Sequence, residues 1–533
     1  MALAGRVRTM MAVTAIATMA LAGCAPAPPS DSQDQIVLAE AQELGGYNPL
    51  VGYGELGVSP IYEGLLRPQS DSDTDIPDLV PALAATPPEQ LAPQRWRLAL
   101  REGVTFSDGS TFDSADVVAT YAALKNPAVA SDIATHVAPI TAVTADGPQA
   151  VTIEVNTEAD PSPYLLVGIV PSEQVEDTPA ADWALNTAPV GTGPYRLDNL
   201  RPDQAVMVAR DDYWGEKPQV TRLVYTHTPD DNTRAQRITT GEVDGVNLPP
   251  KLIGSVQRDT GDVPVRTVAV KSADWRGVSF PAGIPFTADP QARLAMNLGL
   301  DREALIGDVL DGHGRPAYTP VAEVYGTAYN PDATFAFNPT EAGALLDRAG
   351  WRPGADGIQE KDGARAEFEL LYNASDSLRR DLSVAFAAAM KLLGIQVNPR
   401  GTSWDEIDTR FETSAVLLGG GSTPYSIDSQ VFDTLHTRLP DSSPYSNPGN
   451  FTSSGLDELL ENARQSASGP AKDALYRDIQ ANYAAQPSNV FLAFLDHTYA
   501  YRDLGWNQSA PILEPHSHGV AWGPWWQLNA WTR

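Results

Sequence analysis

Between Leu378 and Val397 the sequence writes a helix, a stop and a strand in direct succession. Leu378, Leu382, Phe386, Ala389 and Leu393 recur at three- and four-residue spacing, which puts them on one face of a helix. Gly394 ends that helix, and Ile395-Gln396-Val397 opens the next strand. A helix that hands straight over to a strand belongs to an α/β lobe. The alternation recurs elsewhere. Arg95-Trp96-Arg97-Leu98-Ala99-Leu100 alternates like a strand with one buried face. Asp113 reads as the cap of a helix running through Val117, Val118 and Tyr121, with Asp116 at its third position. Asn338-Pro339-Thr340-Glu341 reads as a cap followed by Pro at the first helical position; that helix buries Leu345, Leu346 and Ala349 and stops at Gly350. No fixed-period repeat is present, which argues against a solenoid. The expected fold class is α/β with two lobes.

The chain has 533 residues, of which 42% are hydrophobic, so a large core can form. Its 37 Lys+Arg face 67 Asp+Glu, a formal net charge of -30. That balance argues against a nucleic-acid partner, which needs clustered cations. One cysteine excludes an internal disulfide framework and any Cys-rich metal site. It is Cys24, and it follows Arg6, Arg8 and the mostly apolar stretch Thr9 to Ala20. This is the order of a secretory signal, and the stretch is shorter than the roughly 20 residues of a membrane span. Leu21-Ala22-Gly23-Cys24 resembles a bacterial lipobox, which implies cleavage before Cys24 and lipid on its thiol. Residues 1–23 are then a signal peptide, 24–35 a lipidated Pro-rich tether, and 36–533 a body anchored to the outer face of the cytoplasmic membrane.

Four ordered segments resemble one family. They are Ile61-Tyr62-Glu63-Gly64-Leu65-Leu66; Leu100-Arg101-Glu102-Gly103-Val104-Thr105-Phe106-Ser107-Asp108-Gly109 running on to Asp116-Val117-Val118; Gly191-Thr192-Gly193-Pro194-Tyr195 with Tyr213-Trp214-Gly215 and Gly241-Glu242-Val243-Asp244; and Arg293-Leu294-Ala295-Met296-Asn297 with Asp301-Arg302-Glu303. Together they resemble the peptide/nickel-type extracytoplasmic solute-binding proteins of ABC importers, bacterial solute-binding protein family 5. Read as chemistry alone, these residues are scaffold: Asp108-Gly109 is a tight-turn pair, and Gly191, Gly193 and Pro194 are turn punctuation before a strand. The resemblance implies a two-lobed periplasmic-binding-protein fold of the large type (cluster C), with a hinge and an extra subdomain. By analogy lobe I takes about 34–60, 186–270 and 495–533, the subdomain about 61–185, and lobe II about 271–494. It also implies a permease and an ATPase as partners, a monomeric binding protein, no cofactor of its own, and a peptide or metal chelate as ligand.

A buried peptide must have its amine paired with a carboxylate and its carboxylate with a cation. Many peptide-binding members carry W-G-x-D-Y-x-D-P in a late loop; here Gly419-Gly420-Gly421-Ser422-Thr423-Pro424-Tyr425-Ser426-Ile427-Asp428 lacks that Trp and the Asp-Pro. Asp428 is the substitute candidate for the amine. Pro424-Tyr425 resembles the A-P-Y of nickel-type members, which makes Tyr425 a ligand candidate. Tyr47 and Tyr53 stand where members contribute first-lobe pocket residues, and Trp404 and His436 are counted with them. His516 and His518 could supply two imidazoles to a metal, although two ligands alone do not close a site. Trp522, Trp525, Trp526 and Trp531 read as pins for the tail. The rival classes are a ligand-sensing lipoprotein of the same fold and a carbohydrate-active hydrolase. The second needs only two opposed carboxylates. No nucleophile elbow, zinc-protease motif or P-loop stands out, so the chain reads as a binding protein and not an enzyme.

Overall fold

The computed structural model describes residues 34–256, 264–420, 425–439, 443–453, 455–516 and 519–533. Cys24, His518 and the Gly421 to Pro424 part of the late loop lie outside them. Gln35–Arg533 forms one compact unit.

Two long strands organise that unit. Val265–Ser279 and Val490–Arg502 pair antiparallel at the centre of a sheet that continues to both sides. On one side follow Gly245–Asn247, Gln35–Glu40 and Arg222–His227, and then Gln204–Ala209 and Tyr195–Arg201. On the other side follow Ala415–Gly420, Glu367–Asn373 and Gln396–Thr402. Each side therefore has its own short parallel set: Gln35–Glu40 with its two neighbours, and Glu367–Asn373 with its two. The fold is the expected two-lobed α/β one, with both lobes sharing the central pair of strands. A separate antiparallel sheet of Glu89–Ala92, Arg95–Ala99, Ile140–Ala145 and Ala150–Val155 lies within the subdomain segment.

The local signals hold up. Asp113 accepts from Ala115 N–H while Asp116 closes the capping box on Ser114–Leu124. Asn338 caps Pro339–Arg348 through Glu341 N–H, and Gly350 takes positive φ after it. Ser377–Lys391 is the helix read at 378–393, followed by Gly394 at positive φ and the strand Gln396–Thr402. Its cap is Asp376.

Gly191 and Gly193 need a different account from turn punctuation. A Cβ on Gly191 would lie 2.2 Å from the Ile61 carbonyl oxygen, and one on Gly193 2.6 Å from the same carbonyl. Neither takes positive φ. They are glycine because two backbones touch: Gly193 N–H donates to Ile61 O and Tyr195 N–H to Pro60 O. The family-like segments meet at this seam. Glu63 accepts from the Tyr213 hydroxyl at 2.8 Å and the Trp214 indole at 2.7 Å, and Arg210 donates to the carbonyls of Gly191 and Gly193. The tail tryptophans are buried in the first-lobe core, with Trp525 edge-on to Tyr499.

Candidate functional site

The parallel strands of both lobes send their carboxyl ends to one place. Glu40, His227 and Asn247 end three strands of one lobe; Asn373 ends a strand of the other, and Trp404 follows a second. All five line a single cavity of about 640 Å³. Ligands of open α/β sheets bind outside the carboxyl ends of the strands, and here two such ends face each other.

The floor of the cavity is built by an irregularity in the central pair. The ladder matches Lys271 with Asp496 and resumes with Trp275 opposite Phe494, so Ser272, Ala273 and Asp274 bulge out. The bulge pairs instead with the tail, Ala273 N–H donating to Glu514 O and Glu514 N–H to Lys271 O. Bulges re-aim side chains, and this one carries the buried Asp274. Asp274 accepts from His516 Nδ1 at 2.7 Å and His497 Nε2 at 3.1 Å, and is ion-paired with Arg276. His497 also donates through Nδ1 to Glu514 at 2.7 Å, where the Tyr499 hydroxyl and Gly523 N–H donate as well.

Burial alone would raise the Asp274 carboxyl; Arg276, His516 and His497 override it and hold it well below the usual range. Burial would lower His497, yet its bonds to Asp274 and Glu514 carry it up to about 9. His516, across the same carboxylate, goes the other way. Burial lowers it, Arg276 and Arg379 add to that, and Asp274 only partly compensates. His497 is thus the charged imidazole of the pair and His516 the neutral one. Unfolded His497 titrates near 6.5. Its contribution to stability is fully present below pH 6.5 and fades as pH rises through about 9. The denaturation midpoint should fall between pH 7 and pH 9, and His497→Gln should flatten that fall; an equal slope in the variant would refute the assignment.

The second-lobe wall adds Arg379. Its Nε donates to Asp376 at 3.0 Å, Nη1 donates to Leu417 O at 2.7 Å, and the guanidinium lies 5.2 Å from the Trp404 ring centre. Burial, with Arg276 nearby, lowers it to about 10, so it stays charged at neutral pH. The first-lobe wall carries Glu40 and Asp231, with Arg234 beside them. Glu40 accepts from the backbone N–H groups of Ala41, Gln42 and Val520, and burial raises its carboxyl against those bonds. Asp231 is ion-paired with Arg234 and reaches across the cleft to the Ser377 hydroxyl. Lys251 and Asp381 form a second contact between the walls at 3.7 Å.

Of the residues singled out in the sequence, Trp404 and His516 line this cavity. Tyr47 and Tyr53 line a smaller neighbouring one. Tyr425 is buried, and its hydroxyl donates to Leu513 O, a bond between the second lobe and the tail. Asp428 is turned inwards to an ion pair with Arg464 at 2.9 Å, so it faces a protein cation and not the cleft. His436 stacks on Phe432 and lies 3.4 Å from Glu461, also away from the cleft. Sequence reasoning missed Arg276, Arg379, Asp274 and Glu40. The available signal was Asp274-Trp275-Arg276, an acid and a base at strand spacing that puts both on one face.

Residues 78–438 match the family described as bacterial extracellular solute-binding proteins, family 5. Over 517 residues the chain is 34% identical to Protein XP55 of Streptomyces lividans, covering 95% of this chain and 93% of that protein. Among solved structures it resembles NikZ from Campylobacter jejuni in complex with Ni(L-His), with a TM-score of 0.83 and 23% identity over 94% of this chain and 100% of that one. It also resembles the oligopeptide-binding protein AppA from Bacillus subtilis in complex with a nonapeptide, with a TM-score of 0.77 and 20% identity over 93% and 98%.

Proposed function

The chain belongs to the bacterial extracellular solute-binding proteins of family 5, and on that premise we propose that it captures a peptide or related small solute outside the cell and delivers it to the permease of an ABC importer. The observation that carries this reading is the polarity of the cleft. Arg276, Arg379 and Trp404 face it from the second-lobe side, and Glu40 and Asp231 from the first-lobe side. A solute with a carboxylate at one end and an amine at the other finds a partner for each, which its burial requires. The volume of about 640 Å³ lies within the ~300–1,000 Å³ of small-molecule sites. Closure of the lobes excludes water and strengthens these contacts. No bond in the solute is broken, and ATP is used by the partner ATPase.

Relatives that bind nickel complexes support a second reading, a metal–metallophore chelate, and His516 favours it. This cleft-lining imidazole is held neutral, the state that ligates metals. Among the described residues no group of three His, Cys, Asp or Glu could hold a bare ion, so a metal would arrive with its own ligands. Native mass spectrometry of protein purified from a rich extract, with metal analysis on the same sample, separates the two. Peptides without stoichiometric metal are expected. A single organic adduct carrying Ni, Co, Zn or Fe would establish the chelate instead. Protein that takes up neither would sink the capture reading.

Residues 1–23 are proposed to leave as a signal peptide, with a lipid on Cys24 holding a monomeric body at the outer face of the membrane. The support is the Leu21-Ala22-Gly23-Cys24 order; among the described residues no helix is long and apolar enough to cross a membrane. Cys24→Ala is expected to move the protein from the membrane fraction to the soluble one, and continued tight anchoring would overturn the lipid assignment.

A further inference from the structure

Beside the main cleft lies a second cavity of about 240 Å³. The two share Glu40, Gln42 and Glu43 as walls, so the smaller one opens off the larger as an annex. Its lining differs in kind. Tyr47, Tyr53, Tyr225 and Trp522 supply aromatic faces and edges, and Met207 and Leu56 fill between them. Tyr47 and Tyr53 are fixed edge-to-face, with ring centres 5.0 Å apart. Such walls suit another ring: aromatic pairs prefer edge-to-face and offset contacts, and thioethers pack well at ring edges.

Glu55 also lines the annex with the shared Glu40, Gln42 and Glu43, and among its aromatic walls one polar atom lacks a well-formed hydrogen bond. Tyr47 is only 5% exposed, and its hydroxyl meets the Gly45 backbone in a contact short of normal hydrogen-bond geometry. A buried hydroxyl without a partner costs about 1–3 kcal/mol. Neighbouring buried tyrosines avoid that: Tyr195 donates to Val220 O and Tyr499 to Glu514. The difference at Tyr47 is that it lines a cavity. An apolar cavity of about 150 Å³ holds a benzene ring, so about 240 Å³ holds a ring with a polar substituent.

We propose that the annex is a side-group pocket of the capture site, taking a flat aromatic group that bears a polar atom, a phenol or an indole, with the Tyr47 hydroxyl as its hydrogen-bond partner. This rests on the reading of the main cleft as the capture site and narrows its solutes to those with such a group. The carboxylate is left to Arg276 and Arg379, which do not line the annex, and an amine to Glu40 at the wall the two cavities share.

The test uses p-cresol and toluene as probes of the purified full chain, with saturation-transfer NMR to read their affinities. p-Cresol is expected to bind, and more tightly than toluene. Ala521→Phe, which fills the annex from its wall, should lower the affinity of both more than tenfold. Tyr47→Phe keeps the shape, and should weaken p-cresol about 3- to 10-fold while leaving toluene unchanged. If Ala521→Phe does not fold, Tyr47→Phe decides alone. Wild-type protein that binds neither probe, or a Tyr47→Phe variant that treats p-cresol as the wild type does, overturns the proposal. The cleft variant Arg379→Met should still bind p-cresol. Loss of p-cresol there would place the ring in the main cleft, which overturns the annex and leaves the capture reading intact. Failure of the capture reading itself would show separately, as protein that retains no solute from a rich extract.

Discussion

Asp274→Ala is expected to destabilise the folded body by about 3–5 kcal/mol, the effect of removing one partner from a buried ion pair. Few residues carry so much. Its carboxylate is the common acceptor for Arg276, His497 and His516, and it is fully buried. Without it, Arg276 loses the carboxylate it is ion-paired with while its charge stays buried, and His497 keeps Glu514 as its acidic partner. Asp274→Asn retains much of the shape and some acceptor capacity, so its loss should be smaller. The midpoint of guanidinium denaturation measures both, and an Asp274→Ala midpoint equal to that of the wild type would show that the cluster does not hold the floor together. The cleft should suffer too, because Arg276 and His516 take their positions from this carboxylate.

Arg379→Met is expected to weaken binding of the co-purified solute by about two to three orders of magnitude, measured by titration calorimetry on protein stripped of that solute. Loss of one partner from a desolvated charge pair is worth about 2–5 kcal/mol, and each 1.4 kcal/mol is about tenfold. Arg379 is 5% exposed, stays charged at neutral pH, and is oriented by Asp376, Leu417 O and the Trp404 ring. A planar fork fixed in this way suits a carboxylate, so Arg379→Lys should recover only part of the loss. A solute that binds the Met variant as it binds the wild type would remove Arg379 from the site.

Much of the fold was legible because its signals are local. The caps at Asp113 and Asn338 and the stops at Gly350 and Gly394 each depend on neighbours within a few residues, and each falls where the sequence put it. The site was less legible because it is assembled from distant segments. Asp274 meets His497 and His516 only because a bulge and the returning tail bring three stretches together. Asp428 and His436 looked available in sequence, since nothing local announced Arg464 or Glu461 as their partners. Gly191 and Gly193 were recognised as fixed points but for the wrong reason. Turn chemistry is a one-segment idea, whereas close approach needs the second backbone at Ile61.

The two central strands run through both lobes, broken only in register near Ser272 to Gly277, and this bears on how the molecule can move. Strands already carry a right-handed twist about their own axes, and its size varies widely between sheets. Relative rotation of the lobes therefore acts on Val265–Ser279 and Val490–Arg502 as torsion. The Asp274 cluster sits on that central pair, while Lys251 and Asp381 join the two walls of the cleft. If the lobes rotate about this pair, the charged floor proposed to recognise a solute is expected to move less than the rim. Substitutions at Lys251 or Asp381 should then change the speed of opening, and substitutions at Arg276 or Arg379 the choice of solute.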